Sequence, residues 1–204
     1  MTVAADDTQA GAAQGGPRLL LEDEQLLAVD KPPGRLVIPG RMAGEPSLRE
    51  ELSARHGPLW VVHRLDRGTS GVLLFARTAA AHRDLNMQFE RGEPGKVYLA
   101  LVAGRPPDRF ERDDGVAPAR KGRMKPVPLG DPRGKPARTA FRVLERFEPR
   151  GGAGPLADGE GRPVLARTPL HAASLTLRHP LGPSLTIEAP LPADLATALA
   201  ALRR

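Results

Sequence analysis

Cysteine is absent from this sequence of 204 residues, and aromatic residues are scarce, with one Trp, one Tyr and five Phe. A chain without cysteine can form neither disulfide bonds nor a thiolate metal site. Its five histidines are scattered and show no spacing typical of metal ligands. We therefore expect no metal centre, and the reducing cytoplasm is the expected compartment.

Other absences exclude further classes of protein. No apolar run approaches the roughly 20 residues of a membrane-spanning helix. Residues 1–17 are acidic and rich in small side chains, unlike a secretory signal, and are predicted to form a disordered tail. A phosphate-binding loop, a dinucleotide fingerprint after a strand and the nucleophile elbow G-x-S-x-G are missing from the sequence.

Basic residues are in excess. Thirty Lys and Arg against 24 Asp and Glu give a net charge of +6, and the pI is about 10.4. A moderately basic protein favours a polyanionic partner, RNA or DNA above all. The alternative is a basic surface that serves only solubility, so charge alone leaves nucleic-acid binding open.

The apolar pattern predicts one α+β domain over residues 18–204, with a mainly antiparallel mixed sheet flanked by helices. Strands are predicted at 19–21, 26–29, 59–62, 70–78, 96–104, 137–147, 171–180 and 184–190, the last two forming a hairpin. Helices are predicted at 47–57, 79–92 and 192–204, the first with Ser47 and Glu50 as a capping box. Residues 105–137 and 149–163 are predicted to be flexible loops.

Residues 61–77, VVHRLDRGTSGVLLFAR, join a charged cluster to a turn and an apolar strand. Asp66 stands between Arg64 and Arg67, and the glycines that follow permit unusual backbone angles. A loop carboxylate held by a rigid strand suits catalysis. The alternative is that Asp66 caps the turn and pairs with a neighbouring arginine, and spacing alone favours it because such ion pairs are common.

The segment HRLDRGTSG followed by VLLFAR resembles the active-site motif of the RluA-type family of RNA pseudouridine synthases. Three further segments resemble that family in the same order. LLAVDKPPGRLV resembles its first motif, KVYLALV its tyrosine-containing strand, and LHAASLTLRHP with IEAPLPADL its C-terminal segment. The resemblance extends from about Leu19 to Leu195.

The resemblance implies an enzyme that isomerises specific uridines of ribosomal or transfer RNA to pseudouridine. The uracil leaves C1′, rotates and rejoins through C5, without a cofactor or metal. Asp66 matches the essential carboxylate, which adds to C1′ or C6 or removes a proton from the sugar. Tyr98 matches the tyrosine that can stack on uracil and lie near C5 for proton removal, and Arg64 is expected to contact a phosphate or fill the space left by the base.

The same resemblance, with the positive charge, implies a cytoplasmic monomer that binds RNA and no membrane. The candidate RNA-binding residues are Lys31, His63, Arg67, Thr69 and Lys96. Arg77 and the basic segment 120–125 are further candidates for phosphate contacts, which position RNA without reading its sequence.

The family's third motif, approximately G-R-T-H-Q-I-R-x-H, has no counterpart after Phe147. Its first arginine is expected to pair with the catalytic carboxylate, and we do not transfer that role to Arg167. Either an internal deletion has removed a strand and a helix, or the gene model is in error. The alternative function is therefore a catalytically impaired RNA-binding relative. A hydrolase that uses Asp66 is more remote, because a second carboxylate in a comparable motif is lacking.

Overall fold

The structure, a computed structural model, describes residues 16–40, 44, 46–119, 124–147 and 164–203. The described residues before 103 and from 164 to 202 form one compact unit, and those from 103 to 147 form a second. The predicted tail (except residues 16 and 17), the predicted loop at 149–163 and residues 120–123 of the basic segment lie outside the described residues. The expected single domain over 18–204 stays a prediction.

Ten strands and three helices are found among the described residues. The strands are β1 (Leu19–Glu22), β2 (Leu26–Lys31), β3 (Trp60–Val61), β4 (Ser70–Ala76), β5 (Gly95–Ala100), β6 (Arg109–Pro118), β7 (Met124–Val127), β8 (Lys135–Arg142), β9 (Leu170–Arg178) and β10 (Ser184–Glu188). The helices are α1 (Leu48–His56), α2 (Ala79–Glu90) and α3 (Ala193–Arg203).

The first unit is built on a seven-stranded sheet with the order β1-β2-β4-β9-β10, in which β3 also pairs with β4 and β5 with β9. Its pairs are antiparallel apart from β4 and β9, which run parallel. The predicted α+β fold with a mainly antiparallel mixed sheet is confirmed. The predicted hairpin of β9 and β10 is also confirmed.

Strand β4 is the centre of this unit, because all seven of its residues are buried. Val72 and Leu74 belong to an apolar cluster that includes residues of α2, whereas Leu73 and Phe75 belong to a second cluster that includes residues of α1. Successive side chains of a strand point to opposite faces, so β4 is packed on both sides. It is a rigid base for the loop that precedes it.

Helix α1 begins and ends where the sequence predicts. The Ser47 side chain accepts a hydrogen bond from the Glu50 N–H, and the Glu50 carboxylate accepts one from the Ser47 N–H. Gly57 follows the last turn with φ of 80°. The capping box therefore satisfies backbone donors that the first turn leaves free.

The second unit is a three-stranded antiparallel sheet with the order β7-β6-β8. The prediction of a loop over 105–137 is wrong, because β6 and β7 lie within it. Strand β6 carries many charged residues and is largely exposed, so its sequence lacks the apolar alternation that indicates a strand. Phe110 and Phe141 are cross-strand partners in this sheet, and their rings stack with centroids 4.6 Å apart.

Candidate active site

The loop of residues 63–69, called the site loop below, joins β3 to β4. Its side chains alternate at first: His63 and Leu65 turn towards the protein, whereas Arg64 and Asp66 are exposed. Leu65 is 7% exposed and packs in the apolar cluster that includes residues of α1. The alternation places a positive and a negative side chain next to each other on the solvent side of an anchored backbone.

His63 fixes the start of the site loop. Its Nε2 accepts a hydrogen bond from the Leu74 N–H at 3.0 Å, and its ring stacks on Phe89 with centroids 5.1 Å apart. Burial, with a smaller effect from the Lys96 charge, lowers the pKa of His63 to about 4. The imidazole is therefore neutral near pH 7, and accepting at Nε2 assigns its proton to Nδ1.

Lys31, at the end of β2, lies beneath the site loop and is 0% exposed. Its Nζ donates to the carbonyl groups of Pro32 (3.0 Å), Arg67 (3.2 Å) and Thr69 (2.8 Å). Burial and the nearby Arg167 charge lower the pKa of Lys31 to about 8, and the Asp66 charge opposes them. The ammonium thus satisfies its three donors inside the protein, which leaves no part of this side chain for a phosphate.

The KPPG segment braces the site loop by further bonds. The Gly34 N–H donates to the Arg67 carbonyl at 2.7 Å, and the Arg67 Nε donates back to the Gly34 carbonyl at 2.8 Å. Thr69 is 3% exposed, and its N–H closes the turn by donating to the Asp66 carbonyl at 3.0 Å. Thr69, like Lys31, therefore supports the loop from within, whereas the Arg67 side chain remains exposed.

The end of the site loop enters β4 beside β9. Ser70 Oγ and His171 Nδ1 are 3.0 Å apart, and both side chains are buried. Gly71 has φ of 111°, and a Cβ there would lie 2.2 Å from the Ala172 carbonyl oxygen. Only glycine fits this backbone conformation and this close approach, which explains the second glycine of the motif.

Asp66 is exposed, and its carboxylate makes no hydrogen bond or ion pair with any residue in the described part of the chain. Arg67 binds the Gly34 carbonyl instead. Arg64 is likewise exposed and has no partner among the described residues. The ion pair between Asp66 and a neighbouring arginine, which the alternative to a catalytic role requires, is therefore not formed. The carboxylate is available to a bound molecule.

Tyr98 lies on β5, where the pairing register with β9 shifts between Val97 and Tyr98. Both side chains are exposed, 55% for Val97 and 43% for Tyr98. Partial burial raises the pKa of the Tyr98 phenol, and the negative charge of Asp66 raises it further by a smaller amount. The negative charge of Asp66 thus raises the pKa of both Tyr98 and Lys31. These three predicted site residues are therefore close enough in the structure for Asp66 to interact electrostatically with the other two.

The other predicted RNA contacts lie in different settings. Lys96 is exposed, and its Nζ lies 5.0 Å from the centroid of the Phe89 ring, the ring on which His63 stacks. Arg77 follows the far end of β4, away from the site loop, and pairs with Glu22 at 3.2 Å. Arg77 is therefore engaged within the protein at a distance from Asp66.

Arg167 is a further residue beside the site, and the sequence alone predicts no role for it. Arg167 has a side chain that is 11% exposed, and it pairs with Asp194 at 2.6 Å. Its Nη1 also donates to the Gly68 carbonyl at 3.2 Å, across 99 residues of sequence. An Arg-Thr pair in a loop before a strand gives no signal of such a distant contact.

The described part of the chain holds no cluster of three or more His, Asp or Glu side chains that could bind a metal ion. No helix within that part is both long enough and apolar enough to cross a membrane.

Comparison with known proteins identifies the class. The family model described as RNA pseudouridylate synthase matches residues 25–175. Ribosomal large subunit pseudouridine synthase D of Nitrosomonas europaea is 33% identical over 249 residues, covering 97% of this chain and 69% of that protein. Dual-specificity RNA pseudouridine synthase RluA of Escherichia coli K12 is 33% identical over 202 residues, covering 84% and 92%. The chain belongs to the RNA pseudouridylate synthase family.

Solved structures agree on the fold. Human RNA pseudouridylate synthase domain containing 4 matches with a TM-score of 0.66 and 20% identity, over 91% of this chain and 93% of that one. Human RNA pseudouridylate synthase domain containing 1 has the same TM-score of 0.66 and 21% identity, over 93% and 90%. The resemblance stated from the motifs is confirmed, and with it the class of enzyme: an RNA pseudouridine synthase, which is an isomerase.

Proposed function

We propose that this protein converts specific uridines of ribosomal or transfer RNA to pseudouridine, with Asp66 as the catalytic carboxylate. The observation that carries the proposal is an exposed carboxylate without a partner among the described residues, on a loop fixed by buried side chains. The bond from N1 to C1′ breaks and a bond from C5 to C1′ forms. The proton on C5 is lost, and N1 ends as N–H, so the reaction is balanced without a co-reactant.

Asp66 supports this chemistry by its position. A carboxylate that adds to C1′ or C6, or removes a proton from the sugar, has to be ionised and within reach of the nucleotide. A uridine inside RNA reaches such a group only after it has left its stack. The exposed setting of Asp66 admits a flipped nucleotide.

Tyr98 supports a stacking role better than a basic one. A phenol is neutral near pH 7 and a weak base in that form, and the raised pKa of Tyr98 disfavours the phenolate further. Its ring is partly exposed and can lie against uracil while the hydroxyl group hydrogen-bonds to the base or to water. In this proposal Tyr98 holds the detached base close to Asp66, and another acceptor takes the C5 proton.

We assign RNA binding to the exposed cations near the site loop. Arg64, Arg67 and Lys96 are exposed and can contact phosphates. We assign Lys31, His63 and Thr69 to support of the loop instead, because the Lys31 ammonium, the His63 Nε2 and the Thr69 N–H and carbonyl groups are hydrogen-bonded within the protein. We further propose that the enzyme acts in the cytoplasm as a monomer, which light scattering coupled to size-exclusion chromatography will test for the purified chain.

The alternative function is RNA binding without turnover, and a specific observation favours it. A segment resembling the family's third motif is not found after Phe147. The alignment with the Nitrosomonas europaea relative extends over 249 residues, more than the 204 of this chain, so some of its positions have no counterpart here. Asp66 also lacks an arginine partner in the described part of the chain.

Tritium release distinguishes the two functions. RNA labelled with tritium at C5 of uridine, prepared from cells that lack the gene, is incubated with the purified protein. The proposed function predicts tritium in water and a new pseudouridine at defined positions, mapped by carbodiimide treatment and primer extension. Binding without tritium release at high protein concentration would support the alternative. Free uracil as the product would indicate a hydrolase.

A further inference from the structure

We propose that Arg167 is a positioning residue for Asp66, and that Arg167 and Lys31 together hold the site loop through three consecutive carbonyl groups. The inference rests on the proposed function, because it assumes that Asp66 is the group that reacts. Neither cation touches the Asp66 carboxylate in the structure. Both act on the backbone that carries it.

The hydrogen bonds define the arrangement. Lys31 Nζ donates hydrogen bonds to the carbonyl groups of Arg67 and Thr69, at 3.2 and 2.8 Å. Arg167 Nη1 donates a hydrogen bond to the carbonyl group of Gly68, which lies between these two residues, at 3.2 Å. All three backbone acceptors that follow Asp66 are therefore bound to a positive side chain from a different part of the chain.

Arg167 is itself held in place. Its Nε and Nη2 donate to the two carboxylate oxygens of Asp194, at 2.6 and 3.0 Å, and Nη1 also donates to the Thr168 and Leu170 carbonyl groups, at 3.0 and 3.1 Å. Asp194 lies in the first turn of α3, and the hydrogen bonds from Arg167 lower the pKa of its carboxyl group. A guanidinium with its three nitrogens bound this way has little freedom to move away from the loop.

A close approach supports the same conclusion. A Cβ added at Gly68 would lie 2.8 Å from the Thr168 Oγ1. The segment of Arg167 and Thr168 therefore packs directly on Gly68, two residues after Asp66. The position of the catalytic carboxylate depends on this packing and on the bond from Arg167.

The competing role for the same contacts is structural: Arg167 and Asp194 would attach α3 to the segment before β9 without positioning the site loop. The two roles predict different effects of a substitution. A residue that stabilises the whole unit affects every part of it, whereas a positioning residue affects the site loop selectively. Amide hydrogen exchange separates the two, and it needs no catalytic turnover.

The test compares Arg167→Met with Arg178→Met. Arg178 lies on β9, pairs with Asp84 at 2.6 Å and has no contact with the site loop in the described residues, so it is the control for loss of an arginine ion pair away from that loop. Exchange is followed at the Thr69 amide, which bonds to the Asp66 carbonyl, and at the Arg77 amide, which bonds to the Gln25 carbonyl at the far end of β4.

We expect Arg167→Met to accelerate exchange at Thr69 by about tenfold or more while leaving Arg77 within about twofold, and Arg178→Met to leave Thr69 unchanged. With the proposed substrate, kcat should fall about 10- to 100-fold in Arg167→Met, with KM within about threefold, because a small displacement of a reacting group is costly. Equal acceleration at both amides, or none at Thr69, would overturn the proposal.

Arg167→Lys is the second variant, for use if Arg167→Met does not fold. Lysine keeps the positive charge, but it cannot form a bidentate ion pair with Asp194 and also donate to the Gly68 carbonyl group. The same selective effect at Thr69 is expected, with a smaller amplitude, and its absence would contradict the proposal. If wild-type protein shows no turnover, the proposed function fails, whereas selective exchange at Thr69 would still show that Arg167 holds the loop.

Discussion

At the scale of single residues, His63 links the position of the site loop to pH. An imidazolium has no free lone pair, so protonation would break the bond from the Leu74 N–H to Nε2. The folded protein resists protonation, since the pKa of His63 is lowered from 6.5 to about 4. Between these two values the unfolded chain binds a proton that the folded chain does not, so stability decreases as the pH falls through this range.

We expect this one histidine to reduce the free energy of unfolding by on the order of 3 kcal/mol between pH 6.5 and pH 4, and to contribute no pH dependence above about pH 7. His63→Gln keeps an acceptor that does not titrate and should remove most of this slope. Urea unfolding at pH 7 and at pH 4.5 measures the effect. An unchanged slope in the variant would show that other groups cause it.

Lys31 and Lys96 provide a second test at this scale, because one supports the loop and the other faces solvent. Lys31→Met removes a donor from three carbonyl groups. The Arg67 carbonyl keeps its bond from the Gly34 N–H, whereas the Pro32 and Thr69 carbonyl groups lose the Lys31 donor, and an unsatisfied group costs about 1–3 kcal/mol. We expect a loss of at least about 2 kcal/mol in stability and a lower kcat. The salt dependence of RNA affinity should stay unchanged.

Lys96→Met is the matched variant. Its stability should change by less than about 0.5 kcal/mol because the side chain is exposed. The slope of log affinity against log salt concentration should fall by about one, as expected for one lost phosphate contact. Urea unfolding and RNA titrations at several salt concentrations measure both quantities. A reduced salt slope for Lys31→Met would contradict the internal role given to Lys31.

At the scale of elements, the parallel contact of β4 and β9 fixes where the site loop ends. Ser70 and Gly71 pair there with His171 and Ala172. The contact is so close that it leaves no space for a side chain at Gly71. A substitution at this glycine therefore tests whether the two strands must approach as the structure has them.

We expect Gly71→Ala to lower the free energy of unfolding by roughly 3 kcal/mol or more, because strain at positive φ adds to a clash with backbone. Gly92→Ala is the control, since Gly92 has φ of 70° but open space around it, and should cost about 1 kcal/mol. Equal losses in the two variants, measured by urea unfolding, would show that strands β4 and β9 are not in close contact.

The elements also show what sequence can and cannot predict here. Strand β4 was predictable because an unbroken apolar run buried on both faces is a strong signal. Strand β6 was not, since its exposed and charged residues carry no period of two. Motif resemblance pointed to Asp66 and Tyr98, but it does not show which lysine is buried. The contact of Arg167 with Gly68 depends on folding across 99 residues.

At the scale of the whole molecule, the proposed function assigns RNA binding and chemistry to side chains of opposite charge. The chain carries a net charge of +6, which favours RNA as a partner. Our proposal assigns binding to exposed cations such as Arg64 and Lys96, and it assigns the reaction to the carboxylate of Asp66. Removing the negative charge should therefore stop the reaction without removing the affinity for RNA.

Asp66→Asn, tested for tritium release from uridine-labelled RNA and for RNA affinity in the same preparation, addresses this separation. The variant keeps the shape of the side chain, and the carboxylate has no partner in the described residues, so stability should change by less than about 0.5 kcal/mol. We expect no detectable tritium release and an RNA affinity within about tenfold of wild type. Wild-type turnover in this variant would mean that another residue carries the chemistry, and loss of folding would mean that Asp66 is a structural residue of the turn.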